Sequence, residues 1–159
     1  MTRIFIDADA CPVKDEVYRV ALRYGLGVFV VSNRMMAVPD MPLIERVVVD
    51  HGPDVADDWI VERAGPADIV VTADIPLAAR CVAGQVATLD PKGRLFDADS
   101  IGMTLAMRNL MDDLRSTGAV TTHNRPFGKA DRSAFLSALD TLIVRLRRRP
   151  VPIRRPAEG

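Results

Sequence analysis

The chain has 159 residues, 48% hydrophobic and 26% charged, which is typical of one globular domain and excludes a wholly disordered chain. Its 21 basic and 21 acidic residues cancel, and this zero net charge argues against a strongly basic nucleic-acid-binding protein. The charge is uneven, because residues 145–159 contain six Arg and one Glu. We therefore expect a mildly acidic domain over residues 1–148 and a mobile basic tail, rich in Pro and Arg, over residues 149–159.

Apolar runs alternate with amphipathic segments along the chain, which predicts strands alternating with helices. A buried strand at Arg3–Asp7 is followed by a helix at Pro12–Tyr24 that ends at Gly25. Four more strands are predicted at Val28–Val31, Arg46–Val49, Ile69–Val71 and Val86–Leu89. Four more helices are predicted at Asp54–Ala64, Pro76–Val82, Ser100–Arg115 and Ala130–Arg148. This order predicts a three-layer, Rossmann-like α/β fold with a mostly parallel sheet of about five strands and helices on both faces.

The sequence predicts a cytoplasmic protein without a membrane span. The apolar run Ile4–Ile6 is too short for a signal peptide, and no run approaches the roughly 18 apolar residues of a spanning helix. The two cysteines, Cys11 and Cys81, form no spaced framework and fit a reducing compartment. Cys11 precedes a helix, where a thiolate is stabilised, but we interpret it as a buried packing thiol, with a Cys–His catalytic pair as the alternative.

Aspartates gather at the carboxyl ends of the predicted strands and at the start of the helix that begins at Asp54. Seven residues belong to this pattern: Asp7, Asp9, Asp50, Asp54, Asp57, Asp58 and Asp74. The carboxyl ends of parallel strands meet at one edge of a sheet, and the spacing of the three helical aspartates predicts one shared face. Such charges repel one another unless a cation lies between them, and carboxylates favour Mg²⁺ or Mn²⁺ over zinc. For any single aspartate, a helix cap (for Asp54) or a solvated position is the alternative.

Four blocks stand in a fixed order along residues 1–145. They are DADACPVK at Asp7–Lys14, VADDWI at Val55–Ile60, TADIPLA at Thr72–Ala78 and RPFGKADR at Arg125–Arg132. These blocks resemble the motifs of the YaiI/YqxD family of uncharacterised bacterial proteins, and that family in turn resembles PIN-like and NYN nucleases. The resemblance implies a PIN-like fold and a divalent metal held by acids after the first strand, on a central helix and after the fourth strand.

Carried over residue by residue, the resemblance implies the following site. The metal ligands expected are Asp7, Asp9, Asp57, Asp58 and Asp74, and the catalytic residues expected are Asp7, Asp58 and Asp74. Asp57 matches the D-x-x-I spacing through Ile60, but the choice between Asp57 and Asp58 stays open. A glutamate of PIN proteins has no match here, so Asp50 or Asp54 is the candidate to take its place.

Basic and amide side chains close to the acids in sequence are candidate substrate contacts. The residues predicted to bind substrate are Lys14, Asn33, Arg34, Arg125, Lys129 and Arg132. The last three surround Phe127, an arrangement that suits phosphates with a base stacked on the ring. The alternative is a connecting loop whose Phe127 anchors in the core. Thr72 is expected to orient Asp74 or a bound water.

The leading hypothesis from sequence is a nuclease that uses Mg²⁺ or Mn²⁺ and acts on RNA or another phosphate-bearing ligand. The first alternative is a non-catalytic regulator that binds nucleic acid or a nucleotide on the same fold. The second is a phosphatase with a D-x-D pair at Asp7 and Asp9. Met103, Met107 and Met111 recur at helical spacing, which favours the core or a subunit contact in a homo-oligomer.

Overall fold

The computed structural model describes residues 2–116 and 127–148. Its sheet has five strands, each close to its predicted position: β1 (Arg3–Asp7), β2 (Gly27–Ser32), β3 (Ile44–Val48), β4 (Ile69–Val71) and β5 (Ala87–Leu89). The largest difference is in β3, which begins two residues before the predicted Arg46. The predicted basic tail at residues 149–159 lies outside the described residues.

All neighbouring strands of the sheet are parallel, in the order β3-β2-β1-β4-β5. The chain runs from β1 outward through β2 to β3, then returns to the other side of β1 to form β4 and β5. Connections after β1 and β4 therefore leave in opposite directions, and such a switch point opens a crevice at the carboxyl ends of the two strands. Ile6 is paired with Val71 in this register, so both strands end at the crevice.

The helices confirm the predicted alternation with the strands. They are α1 (Lys14–Tyr24), α2 (Val55–Arg63), α3 (Ile75–Ala83), α4 (Ile101–Ser116) and α5 (Lys129–Arg148), with a short 3₁₀ turn at Ala8–Ala10. As predicted, Gly25 ends α1, and its left-handed φ of 67° is one that glycine adopts without strain. Asp54 occupies the N-cap position of α2 and also has a left-handed φ, 66°, but its side chain makes no capping hydrogen bond, so a side-chain cap at this position is not found.

Helices cover both faces of the sheet, which confirms the three-layer α/β prediction. Ile4 and Ile6 of β1 point to one face, where they share a core with α1 and α5. Phe5 lies between them in sequence and points to the other face, where it joins Ile60 of α2 and Leu77 of α3. Successive side chains of a strand alternate in this way, so a strand buried on both faces is a continuous apolar run.

Helix α4 packs against α3, which covers the face of the sheet to which Phe5 points. Met103, Met107 and the neighbouring Leu110 are 73%, 53% and 51% exposed, so the core alternative is wrong for the two methionines and the subunit contact stays a prediction. Met111, by contrast, is half-buried. Within residues 2–116 and 127–148, none of the helices combines the length and hydropathy of a membrane span.

Candidate metal centre

Three aspartates from different elements meet at the crevice between β1 and β4. Asp7 is the last residue of β1, Asp57 lies in the first turn of α2, and Asp74 precedes α3. One carboxylate oxygen of each lies within 4.8 Å of those of the other two. We call this group the aspartate triad. Octahedral Mg²⁺ binds oxygen at about 2.1 Å, so opposite ligands lie about 4 Å apart, and the spacing of the triad fits a divalent ion with little adjustment.

The buried hydroxyl of Thr72 connects two members of the triad. Its Oγ1 donates a hydrogen bond of 2.8 Å to Oδ2 of Asp7 and accepts one of 2.9 Å from the backbone N–H of Asp74. Thr72 follows β4 directly and is fully buried. The sequence predicted that Thr72 orients Asp74 or a bound water. The structure shows its contact with the Asp74 backbone and adds a contact with the Asp7 carboxylate that was not predicted.

Asp74 has a structural contact besides its place in the triad. Its Oδ1 accepts a hydrogen bond of 3.3 Å from the backbone N–H of Leu77 and so caps α3, while Pro76 occupies the first turn. The cap holds the carboxylate beside Asp7 and Asp57. Asparagine caps helices about as well as aspartate, so a change to Asn removes the charge and keeps the cap.

Aromatic packing sets the rotation of α2 and so determines which of its aspartates enters the crevice. The ring of Trp59 lies 6.0 Å from that of Phe5 and 5.8 Å from that of Phe29, and Ile60 is fully buried. Asp57 is one turn before Ile60 and therefore faces the sheet and the triad.

Asp58, one residue further along α2, faces away from the triad. Its Oδ1 accepts a 2.8 Å salt bridge from Nη1 of Arg80 on α3, and 54% of the Asp58 side chain is exposed. The structure therefore brings Asp57 to the cluster and leaves Asp58 outside it. The predicted single face for Asp54, Asp57 and Asp58 is wrong, because adjacent positions on a helix differ by about 100°.

Burial and mutual repulsion disfavour the charged forms of two of the three aspartates. Burial raises the pKa of Asp57 to about 6, the negative charges of Asp74, Asp7 and Asp54 add to the increase, and Arg80 opposes it. The pKa of Asp7 is also raised, first by burial and then by Asp74 and Asp9, against the effect of the Thr72 hydrogen bond. A cation between the carboxylates would relieve both causes, and a set of oxygen ligands alone favours a hard divalent ion.

The triad lies in an open cleft of about 430 Å³. Besides the triad, the cleft is lined by Asp9, Asn33, Gly52, Asp54, Ala56, Ala73 and Arg108. Asp54 therefore reaches the cleft, whereas the exposed Asp50 is not among the residues that line it.

Asp9 stands at the side of this cleft and is held by residues that follow β2. Its Oδ1 accepts a 2.7 Å hydrogen bond from Oγ of Ser32, and its Oδ2 accepts one of 3.2 Å from the backbone N–H of Asn33. Arg34 adds an ion pair at 3.8 Å. The structure thus places Asp9, Asn33 and Arg34 together beside the triad, as expected from their positions after β1 and β2.

Other predicted substrate contacts have structural partners. Nζ of Lys14 donates to the carbonyl oxygens of Ala8 at 3.1 Å and Cys11 at 2.7 Å, and so closes the turn that carries Asp9. Arg132 forms a 2.7 Å salt bridge with the buried Glu16 and joins α5 to α1.

The segment around Phe127 is only partly described. Phe127 packs against the core, with the guanidinium of Arg132 5.1 Å from the centre of its ring, which favours the core-anchor alternative over base stacking. Lys129 is exposed in the first turn of α5. Arg125 lies outside the described residues.

Cys11 is a packing thiol, as the sequence predicted. It is 5% exposed and belongs to the core beside α1. Burial raises its pKa to about 11, so the thiol stays protonated at neutral pH and the thiolate expected at a helix start is not favoured.

Arg108 of α4 was not predicted from the sequence, although it lines the cleft. It belongs to no recognisable motif and stands in a helix rich in Met and Leu. On α4 it shares a helix face with Thr104, Leu105 and Met111, which are half-buried. This burial is a property of the fold, and the sequence offers no signal for it.

Replacing Thr72 with Val is expected to destabilise the fold by about 1–3 kcal/mol, because it leaves the Asp74 N–H and the Asp7 carboxylate without their shared partner. Thr72→Ser keeps the hydroxyl and is the matched control. Urea unfolding of the two variants measures the difference. Equal unfolding midpoints for Thr72→Val and Thr72→Ser would show that the hydroxyl does not support the triad.

A second, larger cleft of about 520 Å³ lies between β5 and α5. Apart from Asp97 and Arg145, the side chains that the structure shows lining it carry no charge. We place the candidate site in the smaller cleft, because titratable groups with raised pKa values converge there.

The fold and the triad define a class of protein: a parallel α/β domain with a carboxylate cluster at the switch point of its sheet. Residues 5–145 match the YaiI/YqxD family of uncharacterised bacterial proteins, and the chain belongs to this family. The predicted family is therefore confirmed, while its relation to PIN-like nucleases stays a prediction.

The relatives of this chain are similar to it over nearly their whole length. A UPF0178 protein of Gluconacetobacter diazotrophicus is 66% identical over 97% of this chain and all of its own length. Another, from Gluconobacter oxydans, is 62% identical over 99% of this chain and 96% of its own length. A third, from Rhodopseudomonas palustris, is 60% identical over 98% of this chain and 95% of its own length. No solved structure gives a significant match.

Proposed function

We propose that this protein is a metal-dependent nuclease that hydrolyses phosphodiester bonds in RNA, with Mg²⁺ or Mn²⁺ as its cofactor. The observation that carries the proposal is the aspartate triad, whose ligand oxygens lie within 4.8 Å of one another at the switch point of the sheet. The raised pKa values of Asp7 and Asp57 support it, because they reflect burial and close approach of carboxylates, whose negative charge a divalent cation would balance. The resemblance of the family to PIN-like and NYN nucleases favours RNA as the substrate.

The residues present fit such an ion, and we propose that Asp7, Asp57 and Asp74 hold it. When bound, a divalent ion lowers the pKa of a coordinated water and balances charge on the phosphate that is attacked. Thr72 keeps the carboxylate of Asp7 oriented, and the backbone of α3 does the same for Asp74. Asp9, with Asn33 and Arg34, lies at the side of the cleft where a nucleic-acid strand would pass.

Incubating the purified protein with single-stranded and structured RNA tests this function. We expect cleavage in Mn²⁺, none in EDTA, and a fall of at least about 100-fold for Asp74→Asn, which loses a ligand charge and keeps the helix cap. Product formation on denaturing gels measures the rates. Absence of cleavage, or equal rates for wild type and Asp74→Asn, would contradict the proposal, and RNA binding without cleavage would favour the non-catalytic regulator.

A further inference from the structure

Arg108 brings a positive charge to a cleft that otherwise collects negative charge. Among the lining residues that the structure describes, the other charged side chains are all aspartates: Asp7, Asp9, Asp54, Asp57 and Asp74. Arg108 comes from α4, whereas the aspartates come from β1, α2, the segments next to them and the segment between β4 and α3. The cleft therefore has an acidic floor and a cationic side chain supplied by a separate helix.

The position of Arg108 on α4 directs it to the cleft. Thr104 and Leu105 lie one turn before it and Met111 one turn after it, all three are half-buried, and α4 packs against α3. Met103 and Met107 are also exposed, but they do not line the cleft. Arg108 remains accessible to solvent, so a ligand in the cleft can reach its guanidinium.

The guanidinium group of Arg108 is expected to bind a phosphate group and not a metal ion. Its planar set of N–H donors forms paired hydrogen bonds with phosphate oxygens, whereas its charge repels a cation. An acidic cleft alone would repel a polyanion. A metal ion on the triad and Arg108 together would present two positive groups to one phosphate.

We infer that Arg108 is a substrate-binding residue that holds a non-bridging phosphate oxygen of a nucleic-acid strand in this cleft. The inference rests on the proposed function, because it takes the phosphodiester to be the ligand. It predicts that removing Arg108 affects the binding of Mn²⁺ and the binding of nucleic acid differently. Loss of its charge leaves Mn²⁺ binding unchanged or tighter, and it weakens binding of the nucleic acid.

The test compares Arg108→Ala, Arg108→Lys and Arg19→Ala with wild type. Arg19 is an exposed arginine of α1 that does not line the cleft, so it is the matched control. Fluorescence anisotropy measures binding of a labelled single-stranded oligoribonucleotide in Ca²⁺, and calorimetry measures binding of Mn²⁺ alone. We expect Arg108→Ala to weaken RNA binding about tenfold or more, Arg108→Lys to weaken it less, and Arg19→Ala to change neither.

Two results would overturn the inference. One is wild-type affinity for the oligoribonucleotide in Arg108→Ala. The other is a parallel loss of RNA affinity, Mn²⁺ affinity and unfolding midpoint, which would show that Arg108 only supports the packing of α4.

The outcome of the Arg108 test can be distinguished from the outcome of the nuclease test. RNA cleavage with kcat/KM unchanged in Arg108→Ala would overturn the inference and leave the nuclease. Metal-dependent RNA binding without cleavage, weakened by Arg108→Ala, would overturn the nuclease and support the inference. A wild-type protein that does not bind the oligoribonucleotide at all would overturn both.

Discussion

Replacing Asp57 with Asn is expected to lower Mn²⁺-dependent RNA cleavage by at least about 100-fold, because a metal ligand is lost. The same substitution at the adjacent Asp58 is expected to leave the rate within about threefold, because its lost partner is an exposed ion pair worth at most about 1 kcal/mol. Asp57 belongs to the triad, whereas Asp58 lies outside it and pairs with Arg80 of α3. Steady-state cleavage rates and calorimetric Mn²⁺ affinities measure both variants.

These two variants form a matched pair, since they change the same side chain on the same helix at neighbouring positions. If Asp58→Asn lost activity and Asp57→Asn kept it, Asp58 and not Asp57 would belong to the active site. The orientation of α2 set by the packing of Trp59 and Ile60 would then be wrong. If both kept activity, the triad would not be the metal centre.

In the absence of divalent metal, Asp57→Asn is expected to be more stable than wild type at pH 8. The pKa of Asp57 is raised in the fold to about 6 from its ordinary 3.8. A raised pKa favours the protonated carboxyl, so the stability from this group is fully present below pH 3.8 and is lost as the pH rises through about 6. Asp57 is half-buried and water screens the repulsion, so the gain expected from Asn is about 1 kcal/mol at pH 8 and none near pH 3.5.

Saturating Mn²⁺ is expected to reverse this order of stability. A ligand at 100 times its dissociation constant stabilises the folded state by about 2.7 kcal/mol, and only the chain with an intact triad gains it. Urea unfolding at pH 8, with EDTA or with Mn²⁺, measures both effects. Asp58→Asn should keep the metal-dependent gain. Equal stability of wild type and Asp57→Asn in EDTA, followed by equal gains in Mn²⁺, would show that the triad carboxylates neither repel one another nor share an ion.

The sheet and two members of the triad were predictable from the sequence. Buried parallel strands are continuous apolar runs, and an acid that closes or shortly follows such a run lies at the ligand-binding edge, as Asp7 and Asp74 do. The short α2 was harder, because it is apolar on several sides and its pattern does not fix which side faces the sheet. The D-x-x-I spacing pointed to Asp57, but only the packing of Trp59 on Phe5 separates it from Asp58.

The basic residues were less predictable because their partners are distant in sequence. Arg132 reaches Glu16 across 116 positions, and no local pattern shows such a contact. Lys14 contacts nearby backbone carbonyls, which are available to any lysine and leave no trace in the sequence. Arg108 lies in a helix rich in Met and Leu and outside every motif that the sequence offers. Chain-wide charge was equally uninformative, because the acids of the cleft and the arginines near the end of the chain cancel.

The separation of the triad along the chain has a consequence for how the protein matures. Asp7 and Asp74 are joined through Thr72, 65 positions from Asp7, and that contact requires β1 to accept β4 after β2 and β3 have left on the other side. During synthesis Asp7 is therefore made well before Asp74, and it meets Asp74 only after β4 has formed. Non-local contacts of this kind form late in folding. If the triad holds a metal ion as proposed, its uptake should follow completion of the sheet, so that the bound ion slows unfolding and leaves the rate of folding nearly unchanged.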